Sequence, residues 1–152
     1  MRRLIRDLLI LAAAIVAPFC TAAQAHLTPN SEVQIDFGQH ELRADIIIPQ
    51  GEYQFATGNP TDNGVASHAR AEAFLRKHVV FLGTDGSAWP ITFDSLEFAQ
   101  IAGPPDLHAI VSVKPPPGVS ARMLTIKWTA VIDQVPSHFV LFVARSDFAA
   151  GK

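Results

Sequence analysis

Short segments in which apolar and polar residues alternate recur along most of this chain, and this period of two constrains its fold more than any other feature. In Glu32–Phe37, Val33, Ile35 and Phe37 alternate with charged or amide side chains, as in a strand with one buried face. Turn residues separate most of these segments. Seven further segments have strand character: His40–Pro49, Val79–Leu82, Trp89–Phe93, Ser95–Ile101, Leu107–Lys114, Ala121–Ile132 and His138–Ala144.

One helix is predicted, at Val65–His78, because its apolar residues recur at the helical period. Asp62 or Asn63 can cap its free amides. The preceding Gln50–Gly64 is rich in glycine, proline and asparagine and is predicted to be an irregular connection. A parallel α/β sheet would need a helix between most strand pairs. Eight strands with one inserted α-helix therefore predict a mainly β fold, a two-sheet antiparallel β-sandwich of the Ig-like type.

The N-terminus has the three-part pattern of a secretory signal peptide. A basic start is followed by an uncharged apolar run, Leu8–Phe19, and then by the small-residue sequence Ala23-Gln24-Ala25. The run is shorter than the roughly 20 residues that cross a bilayer, although an uncleaved membrane anchor is the alternative. We expect residues 1–25 to be cleaved after Ala25, leaving residues 26–152 as a single exported domain, periplasmic or extracellular.

Cysteine and charge narrow the classes of partner. The only cysteine, Cys20, lies inside the predicted signal peptide, so we expect no disulfide and no disulfide-linked partner. Lipidation of Cys20 is an alternative, but Phe19 and Ala17 stand where lipoprotein signals usually have a small residue and a leucine. After cleavage, 9 of the 12 basic and 13 of the 14 acidic residues remain, a net charge of −4. A net negative charge disfavours binding to nucleic acid, so we expect no nucleic-acid partner.

Several segments together resemble the extracytoplasmic N-terminal region of HupE/UreJ-type membrane proteins, the hydrogenase and urease accessory family. The residues that carry the resemblance are Ala25-His26, Ile46-Ile47-Ile48-Pro49, Phe74-Leu75, His78-Val79-Val80-Phe81, Asp85-Gly86, Leu124-Thr125-Ile126-Lys127-Trp128 and Pro136-Ser137-His138. The resemblance implies a non-enzymatic accessory or binding domain, linked to metal homeostasis, with a membrane-protein partner. Members of the family continue into a bundle of membrane helices, whereas this sequence stops at Lys152. A free-standing domain or a truncated membrane protein is expected.

A metal site is the sharpest chemical hypothesis. If His26 becomes the first residue, its free amine and ring nitrogen can chelate one ion, and one further histidine would complete a three-nitrogen site suited to copper or nickel. His138, at the start of the last predicted strand, is the proposed second ligand, and His40 has a comparable position. Exported copper-binding sandwiches resemble this chain in beginning with histidine. The alternative is that His26 is a solvated residue of a flexible arm.

No catalytic residue is predicted. Serine–histidine neighbours occur at Ser67-His68 and Ser137-His138, but adjacency in sequence does not establish a nucleophile–base contact. The chain has no GxSxG, HExxH or CxxC motif and no glycine-rich nucleotide loop. Three functions therefore stay open: the accessory domain, a free-standing periplasmic copper- or nickel-binding protein using His26, and an exported hydrolase without a recognised motif.

Overall fold

The computed structural model describes residues 30–100 and 104–148, so the predicted signal peptide and His26 lie outside the described residues. Seven strands and two helices are formed in this part of the chain. Their order is β1 (Ser31–Phe37), β2 (Leu42–Pro49), α1 (Gln50–Thr57), α2 (Val65–His78), β3 (Val79–Gly83), β4 (Ile91–Ala99), β5 (Asp106–Val113), β6 (Leu124–Trp128) and β7 (Val140–Asp147).

The strands form two sheets, which confirms the mainly β, sandwich-like prediction. The larger sheet has the order β4-β5-β2-β1-β7, and the smaller one pairs β3 with β6. All pairs are antiparallel except β1 with β7, which are parallel. The chain reaches β7 from the smaller sheet by way of the turns after Trp128, so β7 enters the larger sheet at the end where β1 also begins. Ser31 and Val140 are consequently opposite each other.

One face of the larger sheet is buried and the other is polar. The inward residues of the central strands are all less than 10% exposed: Val33, Ile35, Leu42, Ala44, Ile46, Ile48, Leu107, Ala109, Val111 and Val113. They form one apolar cluster with residues of α1, α2 and the smaller sheet, which together cover this face. None of the helices within residues 30–100 and 104–148 is long and apolar enough to cross a membrane.

The helix α2 begins and ends as predicted, and its buried face contains Ser67, Ala71, Leu75 and His78 at helical spacing. The prediction of an irregular connection is wrong over Gln50–Thr57, which forms α1. It has only eight residues and contains Gly51, so its intrinsic helical tendency is weak, and tertiary contacts stabilise it instead. Tyr53 is fully buried, with its ring 5.3 Å from that of Phe74 and 5.5 Å from that of Phe98. The helix stops at Gly58, whose left-handed φ of 66° suits glycine.

The residues expected to cap α2 have different roles. Gly64 is the N-cap and has no side-chain cap bond. Asp62 braces the approach to the helix, since its carboxylate accepts hydrogen bonds from the Gly64 N–H at 2.7 Å and the Ser67 hydroxyl at 2.9 Å. Asn63 instead reaches β4, where it accepts from the Phe98 N–H at 2.8 Å and donates to the Phe98 carbonyl at 2.9 Å.

Two of the predicted strands are one strand with a bulge, and another is shorter than predicted. The register of β4 against β5 shifts between Phe93 and Ser95, so Asp94 is an extra residue that interrupts the alternation. Because the period of two breaks there, the sequence indicates two separate strands. Within the predicted Ala121–Ile132, only Leu124–Trp128 pairs. The chain then turns, and Val131 is buried with an unusual positive φ of 65°.

Candidate functional site

The predicted ligand His138 lies at the point where β1 and β7 begin. Parallel pairing of these strands brings the loop before β7 against Ser31, although 107 residues separate Ser31 from His138 in the chain. The His138 Nε2 atom is 2.8 Å from the Ser31 hydroxyl oxygen and 3.3 Å from the Ser31 backbone nitrogen. Ser31 is fully buried, and His138 is 4% exposed.

The two nitrogens of the His138 ring are in different situations. Nδ1 is buried and has no hydrogen-bond partner among the described residues, which is uncommon for a buried polar atom. Nε2 has two contacts on Ser31, but the Ser31 N–H also has the Phe139 carbonyl as an acceptor at 3.2 Å. A tautomer with the proton on Nε2 can therefore donate to the Ser31 hydroxyl without leaving the Ser31 N–H unpaired. In that tautomer Nδ1 carries an unused lone pair.

Electrostatics favours a neutral imidazole at this position. Burial lowers the pKa of His138 below its ordinary value, and the Glu52 carboxylate of α1 opposes that shift. The ring is therefore neutral around pH 7. Neutral imidazole is the form that binds metal ions.

The other predicted ligand is close to this position along the chain. His26 lies outside the described residues, but Ser31 follows it by only five positions. A stretch of that length extends to at most about 18 Å. The length of this connection is compatible with the prediction that His26 and His138 share one ion.

Ser31 and His138 also have the separation of a nucleophile and its general base. Two features distinguish this pair from a catalytic triad: Ser31 is fully buried, and no carboxylate accepts a hydrogen bond from Nδ1 within the described part of the chain. Ser67 and His68, which are adjacent in the sequence, are not hydrogen-bonded to each other either. Ser67 donates to Asp62, and the His68 ring contacts the Asn63 side-chain oxygen at 3.0 Å.

A cluster of charged side chains around His108 lies on the polar face of the larger sheet, and the sequence does not predict it. His108 Nε2 is 2.5 Å from the Asp45 carboxylate, and its Nδ1 is 4.0 Å from Glu97. Arg145 continues the row, 3.7 Å from Asp45 and paired with Asp36. Register explains the grouping, because Glu97 is directly opposite His108. Only the pairing of all five strands of the larger sheet reveals it, since these residues are isolated charges in the sequence.

The remaining histidines described by the structure have hydrogen-bond partners or are exposed. His78, at the end of α2, has its Nδ1 2.8 Å from the Thr129 hydroxyl and 3.9 Å from Asp133. Burial lowers the pKa of His78, with a smaller contribution in the same direction from Lys77. His40 is exposed in the turn between β1 and β2.

Across residues 30–100 and 104–148, no three histidine, cysteine, aspartate or glutamate side chains converge in a metal-binding arrangement. A comparison of the chain with models of known protein families finds no match, and a comparison with curated protein sequences finds none either. What the site does is therefore inferred from its own geometry.

Proposed function

We propose that this chain is an exported, non-enzymatic accessory domain of the HupE/UreJ type that binds one transition-metal ion between His26 and His138. The observation that carries the proposal is the buried Nδ1 of His138, which has no hydrogen-bond partner among the described residues. A buried lone pair without a donor favours an ion as the missing partner.

The surroundings of His138 suit a metal ligand. Metal-binding histidines usually donate their other ring N–H to an oxygen, which fixes the tautomer and the ring orientation. The Ser31 hydroxyl can accept such a bond at 2.8 Å. The Glu52 carboxylate adds negative charge near the ring, since it acts to raise the pKa of His138.

The predicted N-terminus supplies the other nitrogens. Cleavage after Ala25 would expose the His26 amine next to its own ring, so that the amine, the His26 ring and the His138 ring give three nitrogen ligands. Nitrogen ligands suit copper(II) and nickel(II). The same site would serve either a domain that acts beside a membrane-protein partner or a free-standing carrier. A neighbouring reading frame that encodes a bundle of membrane helices would favour the first.

The experiment is a titration of the cleaved protein with copper(II) and nickel(II), followed by calorimetry and by electron paramagnetic resonance of the copper form. We expect one ion per chain and three coordinated nitrogens. His138→Gln should leave two nitrogens, and Ser31→Ala should weaken affinity about tenfold because the ring loses its orienting acceptor. The matched control is His40→Gln, an exposed histidine in the turn between β1 and β2, which should bind like the wild type.

Adding one alanine ahead of His26 provides a second test, because it moves the amine away from the ring without touching the folded domain. We expect it to abolish the wild-type copper spectrum. Circular dichroism confirms that each variant is folded. Unchanged binding and an unchanged spectrum in folded His138→Gln, or in the extended protein, would overturn the proposal.

A further inference from the structure

The two edges of the larger sheet are protected to very different degrees. Exposed edge strands offer unpaired backbone groups to other chains, and monomeric proteins block them with charges, bulges or covering segments. The β4 edge has all three. Asp94 forms a bulge, Asp94 and Glu97 are exposed charges, and the Asn63 side chain occupies both backbone polar groups of Phe98.

Among the residues that the structure describes, none of these devices protects the β7 edge over most of its length. Val140–Ala144 reads VLFVA, without charge, proline or glycine. Its apolar side chains are exposed on both faces of the sheet. Leu141 is 53% exposed on the polar face, opposite Glu32, and Phe142 is 42% exposed on the other face, opposite Val33. A strand of this kind is typical of a pairing surface.

Other exposed apolar side chains gather around the same edge. Eight large apolar side chains of the described residues are well exposed, and four of them lie on β7 or directly beside it in the chain. The four are Phe139, Leu141, Phe142 and Phe148. A concentration of this kind marks an interaction site rather than scattered surface residues.

We propose that this edge binds a second copy of the chain, with the two β7 strands antiparallel across a two-fold axis, so that two five-stranded sheets become one of ten strands. The inference goes beyond the proposed metal function and does not depend on it. With Phe142 on the axis, Leu141 meets Val143 of the partner, and Val140 meets Ala144. Each uncharged segment thereby covers an identical uncharged segment, as a two-fold interface requires.

The charges of β7 select this antiparallel arrangement. Arg145 and Asp147 occupy its C-terminal end, where Arg145 pairs with Asp36 and Asp147 with Arg122. A parallel pair would bring the two Arg145 side chains together. The antiparallel pair holds them on opposite sides of the axis, and Arg145 then lies opposite Phe139 of the partner, a favourable cation–aromatic combination. Arg145 is also the extra residue at the register shift against β1, which limits the pairing to Val140–Ala144.

The test measures the mass of the cleaved protein by light scattering and sedimentation across a concentration series. We expect a dimer for the wild type and a monomer for Leu141→Lys. The dissociation constant of the dimer should rise about tenfold or more, because a two-fold interface contains the substitution twice. The control is Ser95→Lys, an exposed position on the opposite edge strand, which should remain a dimer. Amide hydrogen exchange should show protection of Val140–Ala144 beyond that given by the pairing with β1 only at concentrations where the dimer forms.

Leu141 is more than half exposed, so its replacement leaves the core intact, and melting of the monomeric variant checks this. If Leu141→Lys fails to fold, Phe139→Ser gives the same test at a 57% exposed position. A wild-type monomer at every concentration would overturn the proposal. The proposal would also be overturned if Leu141→Lys remained a dimer, if Ser95→Lys became a monomer, or if the wild type formed an open-ended series of oligomers.

Discussion

Tyr53 attaches α1 to the core, and replacing it with alanine is expected to destabilise the protein by about 4 kcal/mol. The side chain is fully buried and packs edge-on against Phe74, at 83° between the rings, and against Phe98. Truncation of a buried aromatic residue to alanine costs about 3–5 kcal/mol, because transfer energy is lost and a cavity remains. The hydroxyl contributes little of this, since its bond from Asn59 is long at 3.3 Å, and Tyr53→Phe should cost less than about 1 kcal/mol.

Phe55 is the matched control because it lies on the same helix and is 75% exposed. Residues two apart point to nearly opposite sides of a helix, so Phe55→Ala should change stability by less than about 0.5 kcal/mol. The assay is urea unfolding followed by circular dichroism. With a slope of about 1.5–2 kcal/mol per molar urea, the midpoint of Tyr53→Ala should fall by about 2 M, or the variant should be unfolded without urea. Equal losses of stability in Tyr53→Ala and Phe55→Ala, or a loss below about 1 kcal/mol in Tyr53→Ala, would refute the conclusion that buried Tyr53 anchors α1 to the core.

Two further predictions concern polar contacts. Hydrogen bonds from Arg145 hold the pKa of Asp36 below its ordinary value, against an opposing effect of burial. The folded state therefore binds a proton at Asp36 less readily than the unfolded state does. The resulting stability is present at neutral pH and is lost as pH falls from about 5 towards 2. Asp36→Asn should accordingly show a shallower fall of the urea midpoint across that window than the wild type, and parallel curves would contradict the assignment. Asn63→Ala removes both hydrogen bonds to the edge strand at Phe98 and should cost about 2 kcal/mol, measured by the same unfolding assay. Asn59→Ala, which loses one long bond, should cost under about 1 kcal/mol, and a larger loss there than at Asn63 would count against the bridging role.

The sequence predicted the structure closely in segments where the spacing of apolar residues matches the residues that are buried. The helix at Val65–His78 has the predicted bounds, and the first hairpin differs by one or two residues at the strand ends. The prediction failed where local signal and tertiary packing diverge. The helix α1 is only eight residues long, contains Gly51 and buries Tyr53. The bulge at Asp94 hides the continuity of β4, because one extra residue reverses the alternation on which the prediction relies.

The candidate sites divide in the same way. Sequence alone singled out His26 and His138 by their positions at the predicted N-terminus and at a strand start, and that metal hypothesis stays a prediction. Ser31 could not be found from sequence, because its contact with His138 spans 107 residues. The row of His108, Asp45 and Glu97 likewise forms only through the strand order β4-β5-β2.

By itself, the sequence determined that this chain is mainly β, with α2 as its amphipathic helix, because both properties follow from the spacing of apolar residues within a few turns or strand repeats. Tertiary structure alone decided that β7 joins β1 in parallel, that Ser31 contacts His138, and that, within residues 30–100 and 104–148, the β4 edge is blocked whereas the β7 edge is not. The physical reason is that strand order and edge exposure arise from contacts between distant segments, and no local pattern encodes which distant segment will be the neighbour.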